Sequence, residues 1–361
     1  MRVHPTLLGR ALLGVALLLP SSCQSAASAD PLRERAKAGD TVAQFQLALR
    51  YENGEDAPRD LERAAAWYRA AATRDHLASQ LNLALLYLVR PDLVPPGESA
   101  VGWLQKAADG GLARAQYSLG TLQLEGNVVT RNEAEGARWV TRAAEAGLDL
   151  AQGDLGVLYL EGRGVEQDEE RAALWIERAA QGGQTASQIL IGTLYLQGRG
   201  VAQDTERGME WLERARLSGS AEVKGQLALL FLRGELLEAD PVRGAALMLE
   251  AAREGSPASQ DNLGLLYLRG QGVAQDEAEA ARWFEAAAGQ GLVSAQLHLA
   301  RLLEVGKGVE QDPVAAYGWY HRAAEAGSGT ARAAREALAG RMDEAQLDLA
   351  LRAAGAASPG S

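Results

Sequence analysis

The chain has 361 residues, roughly two to three times a common single-domain length, so it folds as several domains or as one elongated architecture. Charged residues make up 23% and AVILMFWYC residues 47%, enough apolar side chain for a core and too much for wholesale disorder. With 47 Asp+Glu against 36 Lys+Arg the net charge is −11, which repels nucleic acid, and one cysteine excludes both an intramolecular disulfide and a cysteine-based zinc site.

Residues 1–10 carry Arg2 and Arg10 without an acid, and residues 11–19 form an unbroken apolar run closed by Pro20, Ser21 and Ser22. This is the form of a secretory signal peptide over residues 1–22. The run is too short to cross a bilayer core of about 30 Å as a helix, so no permanent transmembrane anchor is expected. Without residues 1–22 the chain keeps 34 Lys+Arg against 47 Asp+Glu, a net −13. Cys23 follows directly, and its setting resembles the lipobox of bacterial lipoproteins, in which the thiol is acylated and becomes the new N-terminus. The setting departs from that pattern in having Pro20 three places before the cysteine, with Leu19 one further back. Gln24, rather than Asp, resembles the residue that follows the cysteine in lipoproteins sorted to an outer membrane. Ala27-Ser28-Ala29 is the alternative, a small-x-small triplet that an ordinary signal peptidase would cut after residue 29, leaving a soluble periplasmic protein. Lipidation at Cys23 is the expectation.

Residues 23–39 read as a linker and a capping half-repeat, in which 32–39 is a second helix without its first. Beyond them tryptophan recurs at 67, 103, 139, 175, 211, 283 and 319, every gap being 36 except one of 72, whose midpoint is Leu247. Eight tandem 36-residue units therefore run over 40–327. Gln44, Gln80, Gln116, Gln152, Gln188, Gln260 and Gln296 share one column, broken only by Lys224. Leu or Ile stands three residues later, Ala or Gly four later, and most often Tyr seven later. Those offsets place the side chains on one stripe of a first helix, with the small residue admitting a neighbour. A Gly-x-Gly-Val turn follows in the fourth, fifth, seventh and eighth units, then an Asp that suits a helix N-cap, with Pro241 and Pro313 next to it in units six and eight. A second helix carries the Trp, a small pair such as Ala107-Ala108, and a glycine stop. No unit buries its own faces, so neighbours must stack. Unit two has Arg90–Pro96 in place of the turn and unit six has Gly234-Glu235-Leu236, so irregular curvature is expected at both. Residues 328–361 read as closing helices over 331–339 and 343–354 with a short tail.

The pattern Ala/Ser-Gln-x-x-Leu-Gly-x-x-Tyr, Gly-x-Gly-Val, Asp, Trp, Ala-Ala, Gly resembles the Sel-one-like repeat, a relative of the tetratricopeptide repeat. The resemblance implies an all-α fold, a right-handed α/α superhelical solenoid of eight helix-turn-helix repeats with capping helices. It implies an adaptor or assembly platform for other proteins. Some lipid-anchored relatives resemble assembly factors of export, polysaccharide-secretion or cell-wall machines, which is one alternative function. Some exported relatives are associated with penicillin-like ligands, but those are typically cysteine-rich, and these repeats have no cysteine.

Chemistry-bearing motifs are sparse. His4, His76, His298 and His321 form no His-x-x-His or His-Glu-x-x-His pattern, so no metal site is expected. No Ser-x-x-Lys or Gly-x-Ser-x-Gly occurs, the Gly-x-Gly turns lack a dinucleotide loop's third glycine, and no catalytic residue or cofactor is expected. The tryptophans, fixed in register on an amphipathic helix, read as core rather than as carbohydrate-stacking platforms. What varies is the face opposite the first-helix stripe, at offsets 2, 5 and 9 from the glutamine column, which lines the concave groove in tetratricopeptide-like solenoids. Its candidate partner-binding residues are Asn82, Leu85, Glu125, Asp154 and Glu161 in an acidic half, then Leu229, Arg233, Asn262, Leu265, Arg269, His298 and Arg301 in an apolar and basic half. Leucines among carboxamides and arginines suit a protein or peptide partner, with a membrane reached only through the lipid anchor. The function expected is a non-catalytic scaffold of the bacterial envelope, periplasmic and outer-membrane-anchored.

Overall fold

The computed structural model describes residues 30–55, 58–234 and 239–356. Cys23, the apolar run 11–19, the alternative cut after residue 29 and the tail beyond 356 lie outside the described residues. Among the described residues regular structure is helical throughout, an all-α solenoid of short helix pairs, with no strand. The chain divides into two units, residues 1–184 and 185–361. The first holds α1 (Pro31–Lys37), α2 (Thr41–Asn53), α3 (Leu61–Ala72), α4 (Leu77–Val89), α5 (Ala100–Asp109), α6 (Ala113–Glu125), α7 (Glu133–Glu145), α8 (Asp149–Glu161) and α9 (Glu169–Gln181). The second holds α10 (Thr185–Gln197), α11 (Thr205–Ser218), α12 (Ala221–Arg233), α13 (Pro241–Arg253), α14 (Pro257–Arg269), α15 (Glu277–Gly289), α16 (Val293–Val305), α17 (Pro313–Glu325), α18 (Gly329–Ala339) and α19 (Glu344–Ala356). Even-numbered helices from α2 to α16 are the first of each repeat and odd-numbered ones the second. From α1 to α9 and from α10 to α18 each helix packs on its chain neighbour, and α19 folds back on α17 as a cap.

The glutamine column is the joint between repeats. Nε2 of Gln44, Gln80, Gln116, Gln152, Gln260 and Gln296 donates to the carbonyl eight residues earlier, at 3.0 to 3.4 Å. That carbonyl belongs to an alanine at the end of the preceding second helix, where backbone acceptors lack intrahelical partners. An Asp at the head of six of the eight second helices acts as the N-cap, Ser99 and Asn132 serving α5 and α7: Asp168, Asp240 and Asp312 each accept the N–H three residues on, at 2.9 Å. Just before these caps, Gln167, Gln203, Gln275 and Gln311 donate to the carbonyl seven residues back at 2.9 to 3.0 Å, closing the turn. In the Gly-x-Gly turn the second glycine is needed for space as well as conformation. Gly272 has φ 75°, and a Cβ there would lie 1.9 Å from the Pro241 carbonyl oxygen at the head of the previous repeat's second helix.

The tryptophans are a border rather than the centre of the core. Trp103, Trp139 and Trp211 are buried, but Trp67, Trp175, Trp283 and Trp319 are only half-buried. Five of the seven lie under a cation three residues on, from Lys106 over Trp103 at 4.2 Å to Arg322 over Trp319 at 4.7 Å. The centre is the next column, Tyr68, Leu104, Val140, Ile176, Leu212, Met248, Phe284 and Tyr320, all buried. It meets the small residue of the first helix closely: a Cβ on Gly264 would stand 2.6 Å from the Phe284 ring, and one on Gly156 2.4 Å from Ile176. Where the central residue is tyrosine, the first helix supplies a carboxylate. The Tyr68 hydroxyl donates to Glu52 at 2.6 Å and the Tyr320 hydroxyl to Glu304 at 2.8 Å.

Repeat two keeps its place without the glycine turn. A 3₁₀ turn at Pro91–Leu93 leads to Glu98, whose carboxylate accepts Trp103 Nε1 at 2.9 Å and pairs with Arg69 of α3 at 2.6 Å. It also accepts the Tyr87 hydroxyl at 3.5 Å, and burial, reinforced by the Glu98 charge, pushes that hydroxyl up to about 12. In repeat six the turn runs into residues 235–238, outside the described set, and the irregularity seen in the structure falls just before it. Gly219 is extended at φ −88° and ψ 156°, whereas Gly111, Gly147, Gly255, Gly291 and Gly327 in the same column have positive φ. The glutamine–alanine joint is replaced on both sides, by Lys224 and Arg216. Arg216 pairs with Glu213 at 2.7 Å and Glu250 at 3.0 Å, Lys224 pairs with Glu254, and Leu217 is 71% exposed. α11 and α12 meet less extensively than α13 and α14 or α15 and α16. An ionic joint thus stands where the other repeats have a carboxamide one.

Two outcomes follow from these contacts. Added salt should speed amide exchange at the end of α11 and the start of α12 more than at α13–α14, and Arg216→Ala/Lys224→Gln should remove that salt sensitivity; uniform exchange along the second unit would contradict the ionic joint. Because the Tyr87 hydroxyl is raised above its ordinary value of 10, its contribution to stability is complete below pH 10 and is lost as the pH rises through about 12. Phenolate absorbance should therefore develop earlier in Glu98→Gln than in wild type, and an unchanged profile would refute the Glu98 effect.

Candidate partner-binding faces

The first helices form a layer in which neighbouring repeats touch directly. In the first unit the Tyr117 hydroxyl of α6 donates to Asp154 Oδ2 of α8 at 2.6 Å. In the second, His298 Nδ1 of α16 meets Asp261 Oδ1 of α14 at 2.7 Å. Both pairs join the column one past the glutamine to the column two past it in the next repeat. In the second unit α10 also approaches α12, and α12 approaches α14. The second helices α11 and α13 are instead bridged by the long side chains of Arg216 and Glu250. The first-helix layer is thus the closer-set side of that stack.

The residues expected on this face all lie at its surface, half-buried or exposed. In the first unit, half-buried Asn82 donates to the Tyr68 hydroxyl at 3.2 Å, and half-buried Leu85 packs on the core of Leu83, Leu104 and Tyr68. Asp154 receives Tyr117, Glu125 accepts Asn127 Nδ2 at 3.3 Å, and exposed Glu161 pairs with Arg163 at 3.4 Å. Asn82 and Asp154 therefore hold repeats together besides lining a surface. In the second unit, half-buried Leu229 and Leu265 pack on the cores around Met248 and Phe284. Asn262 is half-buried and Arg233, Arg269 and Arg301 are exposed. His298 stacks on Phe284 with ring centroids 4.8 Å apart.

Sequence reasoning missed the partners beneath the face. Asp261 is buried, and it takes Ser294 Oγ at 2.8 Å on one oxygen and His298 on the other. Its signal was available: a carboxylate in a column that otherwise holds apolar side chains or glycine, 37 residues before the histidine. The other described histidines do structural work. His76 caps α4, accepting Ser79 N–H at 3.3 Å, and burial lowers its affinity for a proton. His321 faces Arg335 at 2.9 Å. Among the described residues no three His, Cys, Asp or Glu side chains converge as metal ligands would, and no helix is long and apolar enough to cross a membrane.

Stacked short helix pairs, with a first-helix layer in each unit, define an α/α repeat fold. The family model for the Sel1 repeat matches residues 41–76, 77–112, 113–148, 149–184, 185–220, 226–256, 257–292 and 293–328. The chain belongs to the Sel1 repeat family, whose fold is a typical non-catalytic scaffold for protein partners. The sixth match begins late, leaving out 221–225, where the ionic joint replaces the usual one. A Sel1 repeat protein from Oxalobacter formigenes superposes with TM-score 0.66 at 28% identity, over 91% of this chain and 99% of that one. The protein c5321, a protective antigen present in uropathogenic Escherichia coli strains and displaying an SLR fold, superposes with TM-score 0.54 at 26% identity, over 90% of this chain and 85% of that one. No curated protein matches the chain.

The pair of Asp261 and His298 should behave as one inter-repeat contact. A double-mutant cycle with Asp261→Asn and His298→Gln is expected to give a coupling of about 1 kcal/mol in urea unfolding, and Tyr117→Phe a loss of about 1 kcal/mol. Additive effects of the two single changes would show that the contact contributes nothing.

Proposed function

We propose that the protein is a non-catalytic scaffold of the bacterial cell envelope that takes a protein or peptide along its first-helix faces and is tethered to the outer membrane through acylated Cys23. The observation that carries this reading is where the repeats differ. Joints, caps and central packing recur from repeat to repeat, whereas the surface columns of the first helices change from Asn82 and Leu85 to Asp154, Leu229, Asn262 and Arg301. A surface that varies on a constant frame is what selects one partner from many. Half-buried leucines backed by core and flanked by polar side chains supply the apolar anchors and the rim of such an interface. The N-terminal pattern around Cys23 supports the anchor, and the similarity to a protein described as a protective antigen is in keeping with an envelope location.

A photo-crosslinking side chain at exposed Gln46 or Gln226 should yield protein adducts in cells, and one at exposed Leu174 should not; no adduct from either face position would overturn the scaffold. Intact mass of the membrane fraction should give an acylated N-terminus at Cys23, lost in Cys23→Ser. A soluble species beginning at Asp30 would replace the anchored scaffold by a free periplasmic one.

A further inference from the structure

We infer that the face on the second unit accepts an acidic segment of a partner protein with apolar side chains at intervals of about three residues; this rests on the scaffold reading above and names its partner's chemistry.

Charge is the first argument. In an acidic chain most arginines find a carboxylate or a ring: Arg216 holds Glu213 and Glu250, Arg282 holds Glu279, and Arg322 lies over Trp319. Among the described residues Arg269 and Arg301 are exposed and make no ion pair, Arg301 reaching only the Tyr320 hydroxyl, although the chain has 47 acids for 36 bases. The columns at offsets 2, 5 and 9 contain no carboxylate in repeats five to eight. The two acids near them are occupied, Asp261 by His298 and Ser294 below the surface, and Glu304 by Tyr320 and Arg341. The surface columns themselves carry arginines and no carboxylate, so anionic groups are the ones they attract.

Spacing is the second argument. Leu229 and Leu265 occupy equivalent places one repeat apart, each seated on core and open on its other side. Packed helices lie about 8–10 Å apart, which an extended chain rising about 3.3 Å per residue covers in about three residues. Arg301 stands beside Leu265 on the next helix, and Arg269 one turn along the same helix, so carboxylates between the apolar positions would meet them. Half-buried Asn262 adds a carboxamide able to bind a peptide backbone. A second copy of this chain is the weaker occupant. Its own carboxylates at Glu125, Asp154 and Glu161 lie on the corresponding helix layer, and broad layers of this kind do not offer one another a single extended strand.

The test uses the full chain and three short peptides, of repeating Leu-Glu-Glu, Leu-Lys-Lys and Ser-Glu-Glu, followed by fluorescence anisotropy. The Leu-Glu-Glu peptide should bind best, weaken as salt is raised, and lose about tenfold in affinity in Arg269→Glu/Arg301→Glu, while Glu145→Lys/Glu170→Lys, at exposed second-helix positions, leaves it unchanged. Equal binding of Leu-Lys-Lys, no binding of Leu-Glu-Glu, or salt-insensitive binding by the wild type would overturn the assignment, and the wild-type measurements do not depend on how well the variants fold. Dimers in sedimentation that the Arg269/Arg301 reversal dissociates would overturn it in favour of a second copy. Adducts at Gln226 alongside any of these failures would leave the scaffold standing and remove only the acidic partner.

Discussion

The repeat-to-repeat joint rests on one polar contact placed where a helix is weakest. The last carbonyls of a helix have no partner within it, and here the following helix begins with a glutamine whose Nε2 supplies one. A leucine in that column would bury the carbonyl unsatisfied, and a glutamate would set a charge against its lone pairs; either change is costly in a dry joint. The contact also has direction. In Gln44, Gln80, Gln116 and Gln296 the amide oxygen is buried without a hydrogen-bond partner, so the donated bond alone accounts for the column. The small alanines around the accepted carbonyl let the next helix come close enough for the bond to form, and that closeness is what builds the first-helix layer.

The periodic features were legible because each answers to one local requirement. Positive φ favours glycine, with Asp75 the exception among the described residues, helix heads favour Asp, and a carbonyl needs a carboxamide, so these residues repeat visibly. The centre of the core was not legible for the opposite reason. Its column needs only an apolar volume that fits its neighbours, and Val140, Met248 and Phe284 all meet that need by different local packing. Tryptophan drew attention by its register, yet its size leaves it at the edge, half-buried in four repeats and covered by a cation in most. The tyrosines of that column show how far identity can drift, since Glu52 and Glu304 were recruited to satisfy their hydroxyls.

The candidate faces were legible as columns but not as contacts. Helical geometry places offsets 2, 5 and 9 away from the core stripe without telling which of those side chains are already engaged. Asn82, Asp154 and His298 bond across to other helices, a consequence of neighbouring first helices lying side by side that a single helix does not reveal. The ionic joint was not legible for a related reason. Lys224 stood out as the break in its column, but its meaning depends on Arg216, on a different helix, being substituted as well. Arg216 takes Glu213 and Glu250, and Lys224 takes Glu254, so each of the two substituted positions is held by carboxylates of the stack.

The same logic connects the joint to the face. At the joint, long ionic side chains replace close packing, and the arginine and lysine are consumed by carboxylates of the stack. On the first-helix face Arg269 and Arg301 stay exposed without an ion pair, while the acid below binds a histidine and a serine. An exposed ion pair contributes little to stability because water already solvates both partners, so folding alone puts little pressure on a surface arginine to find a carboxylate. Internal neutralisation is thus optional on the face, whereas at the joint the two cations are each paired with carboxylates of the stack. Asp261, beneath the layer, fixes the orientation of His298 through Nδ1. The second unit can therefore be fastened by its own acids and still present a cationic, leucine-bearing strip, because there the carboxylates that fasten it lie below or beside the surface columns rather than in them.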